Sequence, residues 1–288
     1  MVITLSTPNP SALHEMIEVL ASWQQENKSL QLHPGDLGWA WQIGASELAG
    51  RVRTWAVNGR PVALGYLDGG TLLRLAIAPD AENDQELASR MADDVADPSR
   101  GVLPGGPVAV EARLGGVFRS RLLGAGWQAD ELWTPMIRDL VEPVPRPDVR
   151  IEEVGPELAH AQALVHRASF ESSRFTDERW HTMTTGPAYA AARCLLAYDA
   201  QGSAVATATV WSAGEGRPGV LEPLGVHRDH RGHGYGRAIA LAAASALQEM
   251  GASSATVCAE SSNVGAVATY SSAGFQSHPE VADLVRVG

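Results

Sequence analysis

The feature that most constrains the fold of this chain is a set of similar segments, here called echoes, that recur in the same order on both sides of the midpoint. Ala125-Gly-Trp-Gln128 corresponds to Ala273-Gly-Phe-Gln276, and Asp36-Leu-Gly-Trp39 corresponds to Asp177-Glu-Arg-Trp180. Two further echoes fall on strand-like segments: residues 71–77 with 219–226, and 108–112 with 256–260. One matched tetrapeptide arises by chance, whereas four echoes in one order indicate a duplicated domain.

A proline-rich segment separates the two copies. Three prolines fall between positions 143 and 147, close to the midpoint. Proline fixes φ and keeps its predecessor extended, so this segment is predicted to be a stiff linker. With 288 residues, the chain is long enough for two domains of ordinary size. We therefore predict domains at residues 1–140 and 150–288, joined by a linker at 141–149.

Hydrophobic periodicity and turn signals predict alternating strands and helices in each half, and so a mixed α/β fold class. In the second half the predicted strands are 149–154, 191–198, 204–212, 219–226, 255–260 and 282–287. The predicted helices there are 155–170, a stretch around 177–180, 237–250 and 264–272. Helix 155–170 has apolar residues at helical spacing: Leu158, Ala161, Leu164, Val165 and Ala168. In the first half we predict a helix at 11–25 and strands at 53–58, 61–67, 71–77 and 108–112, with an Asn-Gly hairpin turn at 58–59.

The segment Arg231-Gly-His-Gly-Tyr-Gly236 has the clearest chemical signal, because it lies between a predicted strand and a predicted helix. Three glycines in five positions allow a ligand to approach the backbone closely. The first turn of a helix has unpaired N–H groups and a partial positive charge, so this turn is predicted to bind a pyrophosphate. Arg231 and Arg237 add positive charge at its edges. Neither a P-loop nor the Rossmann pattern G-x-G-x-x-G fits these residues.

Arg231-x-x-Gly234-x-Gly236, followed further along by Asn263 and Tyr270-Ser-Ser-Ala-Gly-Phe275, resembles the GNAT acyl-CoA N-acetyltransferases. The resemblance covers residues 150–288 well and residues 1–140 in outline. The tandem arrangement is similar to that of mycothiol synthase-like acetyltransferases. The resemblance implies an α/β fold with a mixed, twisted sheet, built from two tandem GNAT-like domains.

The same resemblance implies that acetyl-CoA is the acyl donor and coenzyme A the product. Its pantetheine arm would enter a gap between the strand at 224–226 and the strand at 256–260. The residues expected to bind it are Leu224, Gly225, Val226, Arg231, Gly232, His233, Gly234, Tyr235, Gly236, Arg237 and Asn263.

Two residues are predicted to be catalytic, in a direct attack of an amine on the bound thioester. Tyr270 matches the family's tyrosine, and its phenol suits a proton donor to the departing thiolate. Glu222 is the predicted general base, and alternation on a regular strand would place it on one face with Leu224 and Val226. Many family members have this glutamate two residues earlier, at the position of Val220. Pro223 predicts an edge or a bulge in this strand.

The first half is predicted to be a degenerate copy. Its counterpart of the glycine turn has no glycine triplet, and Glu82, Asp84 and Glu86 place negative charge where a pyrophosphate would bind. Leu122 stands near the tyrosine position. The first half would be structural, or it would build one wall of the acceptor site.

Composition restricts the partners. The net charge is −11, and without a Lys/Arg cluster we expect no nucleic-acid partner. Without an apolar run of about 18 residues or a signal peptide, we expect no membrane insertion and a cytoplasmic location. His227, His230 and His233 lie in a turn, and we expect no metal. A small-molecule amine acceptor is favoured, with an acyl-CoA sensor or a protein N-acetyltransferase as alternatives, and the chain would be a monomer or homodimer.

Overall fold

The structure is a computed structural model that describes residues 2–26, 30–113 and 116–287. The strands of these residues are β1 (Ile3–Ser6), β2 (Val52–Val57), β3 (Arg60–Asp68), β4 (Leu72–Ile77), β5 (Val108–Val110), β6 (Gln128–Asp139), β7 (Arg150–Glu153), β8 (Ala192–Tyr198), β9 (Ala204–Trp211), β10 (Gly219–Val226), β11 (Ser254–Glu260), β12 (Gln276–Ser277) and β13 (Val281–Arg286). The α-helices are α1 (Leu13–Trp23), α2 (Pro34–Ala40), α3 (Ala45–Arg51), α4 (Gln85–Ala96), α5 (Gly116–Gly124), α6 (Ala159–Ser169), α7 (Asp177–Thr184), α8 (Tyr235–Glu249) and α9 (Val264–Ser272). No helix of the described residues is long and apolar enough to cross a membrane.

The chain forms two compact units, which combine the predicted halves differently from their order in the sequence. Unit 1 comprises Met1–His33, Ala45–Trp133 and Glu280–Gly288, and unit 2 comprises Pro34–Gly44 and Thr134–Pro279. Unit 2 therefore includes α2 from the first half, and unit 1 includes β13 from the second half. The division predicted from the sequence describes the order of the repeated modules, and the compact units arise by exchange of these segments.

The predicted linker at 141–149 has no helix or strand, as its prolines require, yet it belongs to unit 2. Leu140 and Val144 are buried in the core of this unit. Gln248 of α8 binds the segment, because its side-chain nitrogen donates to the carbonyl oxygens of Leu140 at 2.6 Å and Glu142 at 2.8 Å. The segment is therefore held to unit 2 at its start and at Val144, and is not a free spacer.

Unit 1 contains a sheet with the strand order β1-β2-β3-β4-β5-β13-β6. The predicted hairpin is present between β2 and β3, and its turn residues Asn58 (φ 51°) and Gly59 (φ 82°) are both left-handed. This conformation matches the twist of a two-residue hairpin. β4 and β5 are parallel, and Leu72 pairs with Ala109.

Unit 2 contains a sheet with the order β6-β11-β10-β9-β8-β7, with β12 beside β6. β7, β8, β9 and β10 are antiparallel neighbours, whereas β10 and β11 are parallel. Gly219 and Val220 of β10 pair with β11, just as Leu72 and Leu73 of β4 pair with β5. This parallel pair at equivalent positions agrees with the duplication predicted from the sequence echoes.

The core of unit 2 explains why α8 is rich in alanine and leucine. Ile239, Leu241 and Leu247 are fully buried against small residues of β9 and β11, and the alanines between them let the helix approach the sheet closely. The core also includes Tyr270 and Phe275. The helix that follows the glycine turn is therefore anchored along its whole length.

Among the differences from the sequence predictions, two concern β6 and α6. The long strand β6 was missed, because its first five residues are exposed and show no apolar alternation. In α6 the buried face is offset from the predicted apolar stripe: Leu164 is exposed, and the polar residues Gln162, His166 and Ser169 are buried.

Candidate active site

A bulge in β10 shapes the strand that the sequence predicts to face the acyl donor. Between Leu221 and Leu224, β10 has one residue more than its antiparallel partner β9. Pro223 lies inside this irregularity, so the bulge predicted from the sequence is present. The Trp211 Nε1–H of β9 donates a 2.8 Å hydrogen bond to the carbonyl oxygen of Glu222 and so holds the bulge.

The bulge corrects one sequence prediction. The expected common face of Glu222, Leu224 and Val226 assumed a regular strand, but the extra residue interrupts the alternation. Leu221 and Leu224, three positions apart, both pack against the unit 2 core. The register therefore no longer places Glu222 on the face of Leu224, whereas Leu224 and Val226 remain together. The Glu222 carboxylate adds to the effect of burial in raising the pKa of the Tyr270 phenol.

Beyond their first residues, β10 and β11 separate. Among the described residues, β10 pairs with β11 only at Gly219 and Val220, although its pairing with β9 continues to Val226. The segment 224–226 consequently has one backbone edge that β11 does not cover. Such an edge accepts an added extended chain. This is the gap that the GNAT resemblance assigns to the pantetheine arm.

The glycine turn offers a ready cradle of backbone donors. Gly232 (φ +81°) and Gly234 (φ +83°) are left-handed, and a Cβ built on either would meet no atom within 4 Å. Gly234 is the N-cap of α8. Within the described residues, no acceptor takes the backbone N–H groups of residues 232–237. These donors, at the positive end of a fifteen-residue helix, fit the oxygens of a pyrophosphate.

The two arginines of the turn connect it to neighbouring helix ends. A guanidinium nitrogen of Arg231 donates to the carbonyl oxygen of Ser169, at the end of α6, over 3.0 Å. Arg237 donates to the carbonyl oxygen of Ser272, at the end of α9, over 2.9 Å. Cations are favourable at helix C-termini, where carbonyl groups are unpaired. The arginines thus fix the turn while keeping positive charge beside it.

The histidines of the turn make local contacts. His233 Nδ1 lies 2.9 Å from the carbonyl oxygen of Arg231, and its ring stacks on Tyr235 with centroids 6.1 Å apart. His227 Nδ1 accepts a 3.2 Å hydrogen bond from the Asp229 N–H. In the part of the chain that the structure describes, no three His, Cys, Asp or Glu residues are grouped to hold a metal ion.

Helix α9 bears Tyr270, the predicted proton donor. Asn263 caps this helix, because its side-chain oxygen accepts a 3.1 Å hydrogen bond from the Ala266 N–H. Tyr270 is buried, and its ring packs edge-on against Phe275 at 5.7 Å. Burial, reinforced by the Glu222 carboxylate, raises the pKa of the Tyr270 phenol above its usual range. The phenol therefore keeps its proton at neutral pH, as a donor must.

An aromatic cluster lies next to the bulge. An ideal Cβ on Gly225 would lie 2.8 Å from the ring of Phe170, which ends α6, so only glycine fits there. The ring of Phe170 lies 4.8 Å from that of His166, and His166 lies 5.3 Å from Trp39 and 5.1 Å from Phe175. Burial lowers the pKa of His166 to about 4, and the charge of Arg167 adds to this effect.

In unit 1, a side chain of the segment that corresponds to the glycine turn already binds the backbone donors there. Asp84 caps α4, and its carboxylate accepts hydrogen bonds of 2.9 Å from the N–H groups of Glu86 and Leu87. The donors that would meet a phosphate are thus already paired with an anion.

The gap beside β4 in unit 1 is also filled by the chain itself. The N–H of the buried Leu32 donates a 3.0 Å hydrogen bond to the carbonyl oxygen of Leu75, just beyond the last β4–β5 pair. Ion pairs cross the same region, with distances of 3.3 Å for Arg74–Glu111 and 3.0 Å for Arg113–Asp283. The tyrosine position is taken by the buried Leu122.

Residues 157–275 contain the bulge, the glycine turn and Tyr270, and they match the model of the Acetyltransferase (GNAT) family. This part of the chain is a GNAT domain. It is a domain of the acyl-CoA-dependent N-acetyltransferase type. No curated protein matches the chain.

Solved structures resemble nearly the whole chain. A GCN5-related N-acetyltransferase from Sphaerobacter thermophilus is 19% identical, with 99% of this chain and 95% of that chain covered and a TM-score of 0.59. A tandem GNAT protein from the clavulanic acid biosynthesis pathway is 16% identical, with 99% and 98% covered and a TM-score of 0.60. FemX is 10% identical, with 100% and 98% covered and a TM-score of 0.61. At these identities the likeness establishes the fold, which is that of tandem GNAT proteins.

Proposed function

We propose that unit 2 transfers an acetyl group from acetyl-CoA to the amine of a small molecule, by direct attack while both substrates are bound. One observation carries the proposal: the unpaired donors of residues 232–237 and the uncovered edge at 224–226 lead to Glu222 and Tyr270. In this proposal the gap would combine a phosphate cradle, an open strand edge, a carboxylate and a protonated phenol. Acetyl transfer to an amine requires these groups together.

The acyl donor is a substrate, and this chain would hold it by its backbone. Residues 232–237 would donate to the pyrophosphate, with the charges of Arg231 and Arg237 beside it. The edge of Leu224, Gly225 and Val226 would hydrogen-bond to the pantetheine amides, and the N–H of one of these residues would polarise the thioester carbonyl. Asn263, exposed at the start of α9, would border the arm.

Glu222 would remove the proton of the attacking amine. Nitrogen forms a bond to the acetyl carbon, and the bond from that carbon to sulfur breaks, with its electron pair remaining on sulfur. The amine proton passes to the Glu222 carboxylate, directly or through water. The bulge, held by Trp211, fixes the backbone from which this carboxylate extends.

Tyr270 would give its proton to the departing sulfur. While Glu222 is charged, it raises the pKa of the phenol. Once Glu222 takes up the amine proton, that repulsion disappears and the phenol becomes a stronger acid at the moment when the thiolate leaves. The Glu222 proton then returns to the Tyr270 oxygen. One amine proton is thereby replaced by the acetyl group, one thiol is formed, and both residues recover their initial state.

The first copy would take no part in binding the acyl donor. In unit 1, Asp84 occupies the donors of α4, and Leu32 bonds to β4 where the pantetheine arm would lie. We propose that unit 1 supports the fold, and that one acyl-CoA binds per chain.

The test is a calorimetric titration of the whole chain with acetyl-CoA, followed by an assay for free coenzyme A thiol with a panel of amines. We expect one site per chain and amine-dependent thiol release, with an acetylated product in the mass spectrum. Binding without thiol release for any amine would favour an acyl-CoA sensor. Release only with peptides would move the acceptor to proteins, and absence of binding would overturn the proposal.

A further inference from the structure

Phe170 lies at the point where the end of α6 meets the bulged strand. Its ring and the neighbouring Ser169 approach Gly225 so closely that a side chain at Gly225 would clash with both. Gly225 is the middle residue of the edge that, in the proposed function, faces the thioester. Phe170 is only half-buried, so part of its ring remains exposed beside that edge.

A second half-exposed ring continues this surface. The ring of Trp39, in α2, lies 5.3 Å from that of His166 and 4.8 Å from that of Phe175. The His166 ring in turn contacts that of Phe170, so one ring separates Trp39 from Phe170. His166 and Phe175 are buried and form the base beneath the two half-exposed rings. His166 Nδ1 is held by the Ser173 hydroxyl at 2.6 Å. The result is a contiguous cluster of four rings that begins at Gly225, and Phe170 and Trp39 are its two partly exposed members.

The position of Trp39 is fixed by the packing of α2. Gly35 and Gly38 lie one turn apart and face Trp211 so closely that a Cβ on either would lie 2.4 Å from it. Trp211 in turn binds the Glu222 carbonyl. The segment 34–44 therefore belongs to unit 2 and brings an aromatic ring from the first half of the sequence to the catalytic strand.

We propose that Trp39 and Phe170 are specificity-determining residues that form an aromatic wall of the acceptor site, and that the acceptor is an amine carried on an aromatic or similarly apolar body. This inference rests on the proposed function. Rings contribute large apolar contact area and stack on flat groups. The four rings are uncharged at neutral pH and contain no carboxylate, so a polyhydroxylated or polycationic body would lose hydration against them without replacement. Small-molecule sites commonly combine such apolar walls with a few polar groups at the reacting end.

The test compares three amines, phenethylamine, glucosamine and spermidine, with the wild-type chain and the variants Trp39→Leu and Phe170→Leu. Leu164→Ala is the matched control, because Leu164 is an exposed apolar residue of α6 on another face. Two readouts are needed: kcat/KM for release of coenzyme A thiol, and calorimetric binding of each amine to protein saturated with coenzyme A. The acetyl-CoA dissociation constant of each variant shows that the fold and donor site are intact.

We expect phenethylamine to be preferred, with kcat/KM about tenfold lower in each ring variant and unchanged in Leu164→Ala. Preference of the wild type for glucosamine or spermidine would overturn the aromatic wall and leave the acetyltransferase in place. So would equal losses for all three amines in the ring variants. Ring-dependent binding of phenethylamine without thiol release would support the wall and refute the proposed transfer. Absence of both binding and release for phenethylamine would overturn the inference.

Discussion

The indole N–H of Trp211 donates a 2.8 Å hydrogen bond to the carbonyl oxygen of Glu222. Trp211 is 1% exposed, so this bond is shielded from water. It joins the regular strand β9 to the bulge of β10, and thereby sets where the Glu222 carboxylate begins. The same indole contacts Gly35 and Gly38 of α2. One side chain thus links the predicted base to the helix that bears Trp39.

Replacing Trp211 by Phe should lower both activity and stability. The variant loses a buried hydrogen bond worth about 1 kcal/mol, and the released bulge should reduce kcat about tenfold through misplacement of Glu222. Trp180→Phe is the matched control, because Trp180 is also a buried indole of unit 2 and does not donate to the Glu222 carbonyl. Urea unfolding and steady-state kinetics measure the two effects. Equal kcat values in the two variants would contradict a positioning role for Trp211.

The coupling between Glu222 and Tyr270 can be measured directly. Because the Glu222 charge raises the pKa of the Tyr270 phenol, Glu222→Gln should lower that pKa. The measurement is ultraviolet titration of phenolate absorbance, with Tyr270→Phe used to identify the signal. An unchanged Tyr270 titration in Glu222→Gln would show that the two groups do not interact.

Kinetics give an independent prediction for the same pair. Each single variant, Glu222→Gln and Tyr270→Phe, should lower kcat by roughly 10²-fold or more while the acetyl-CoA dissociation constant stays the same. If the proton passes between the two residues, the double variant should lose much less than the product of the single losses. Fully multiplicative losses would indicate that they act independently.

The sequence predicts best those parts of the site whose sequence signal lies in neighbouring residues. The glycine turn, Tyr270 and the bulge at Pro223 are encoded by neighbouring residues, and the structure has a glycine turn and a bulge at these positions. The predicted face of Glu222 was wrong, because a bulge interrupts the alternation of side chains along the strand. Pro223 alone does not reveal how many residues the bulge adds. The roles of these residues stay predictions, since geometry alone does not assign a proton transfer.

The sequence does not reveal how Trp39 and His166 join the aromatic cluster, for two physical reasons. Trp39 belongs to unit 2 because segment 34–44 of the first half packs in that unit. Such packing between distant parts of the chain has no local sequence signal. The buried face of α6 is polar at Gln162, His166 and Ser169, so an apolar stripe predicted the wrong face. Buried polar residues on a helix mark the places where hydrophobic periodicity fails as a guide.

The glycine turn leads to a prediction about stoichiometry and affinity. Gly234→Ala forces a side chain into a left-handed conformation, at a cost of about 1 kcal/mol, and places a methyl group against the bound phosphates. Gly202→Ala is the matched control, because Gly202 has a similar φ of +86° and equally open surroundings, in the turn between β8 and β9. We expect one acetyl-CoA site per chain by calorimetry, weakened more than tenfold in Gly234→Ala alone. Two sites would show that unit 1 also binds the donor.

The buried imidazole of His166 predicts how stability depends on pH. Burial holds its pKa at about 4 in the folded chain, against 6.5 when solvated. Between these values the unfolded chain binds the extra proton, so the free energy of unfolding should fall as the pH falls from 6.5 towards 4. The contribution is fully present above pH 6.5 and amounts to about 3 kcal/mol.

Two variants isolate this contribution from the carboxylates that titrate in the same range. His166→Phe keeps a ring in the cluster and removes the titrating group, so the fall in unfolding free energy between pH 6.5 and pH 4 should shrink by about 3 kcal/mol. Phe175→Leu disturbs the same cluster but retains the imidazole, so it should lower stability at every pH and keep the wild-type slope. Urea unfolding at a series of pH values measures both. The wild-type slope in His166→Phe would mean that the imidazole binds its proton equally in the folded and unfolded chains, which would contradict a pKa lowered by burial.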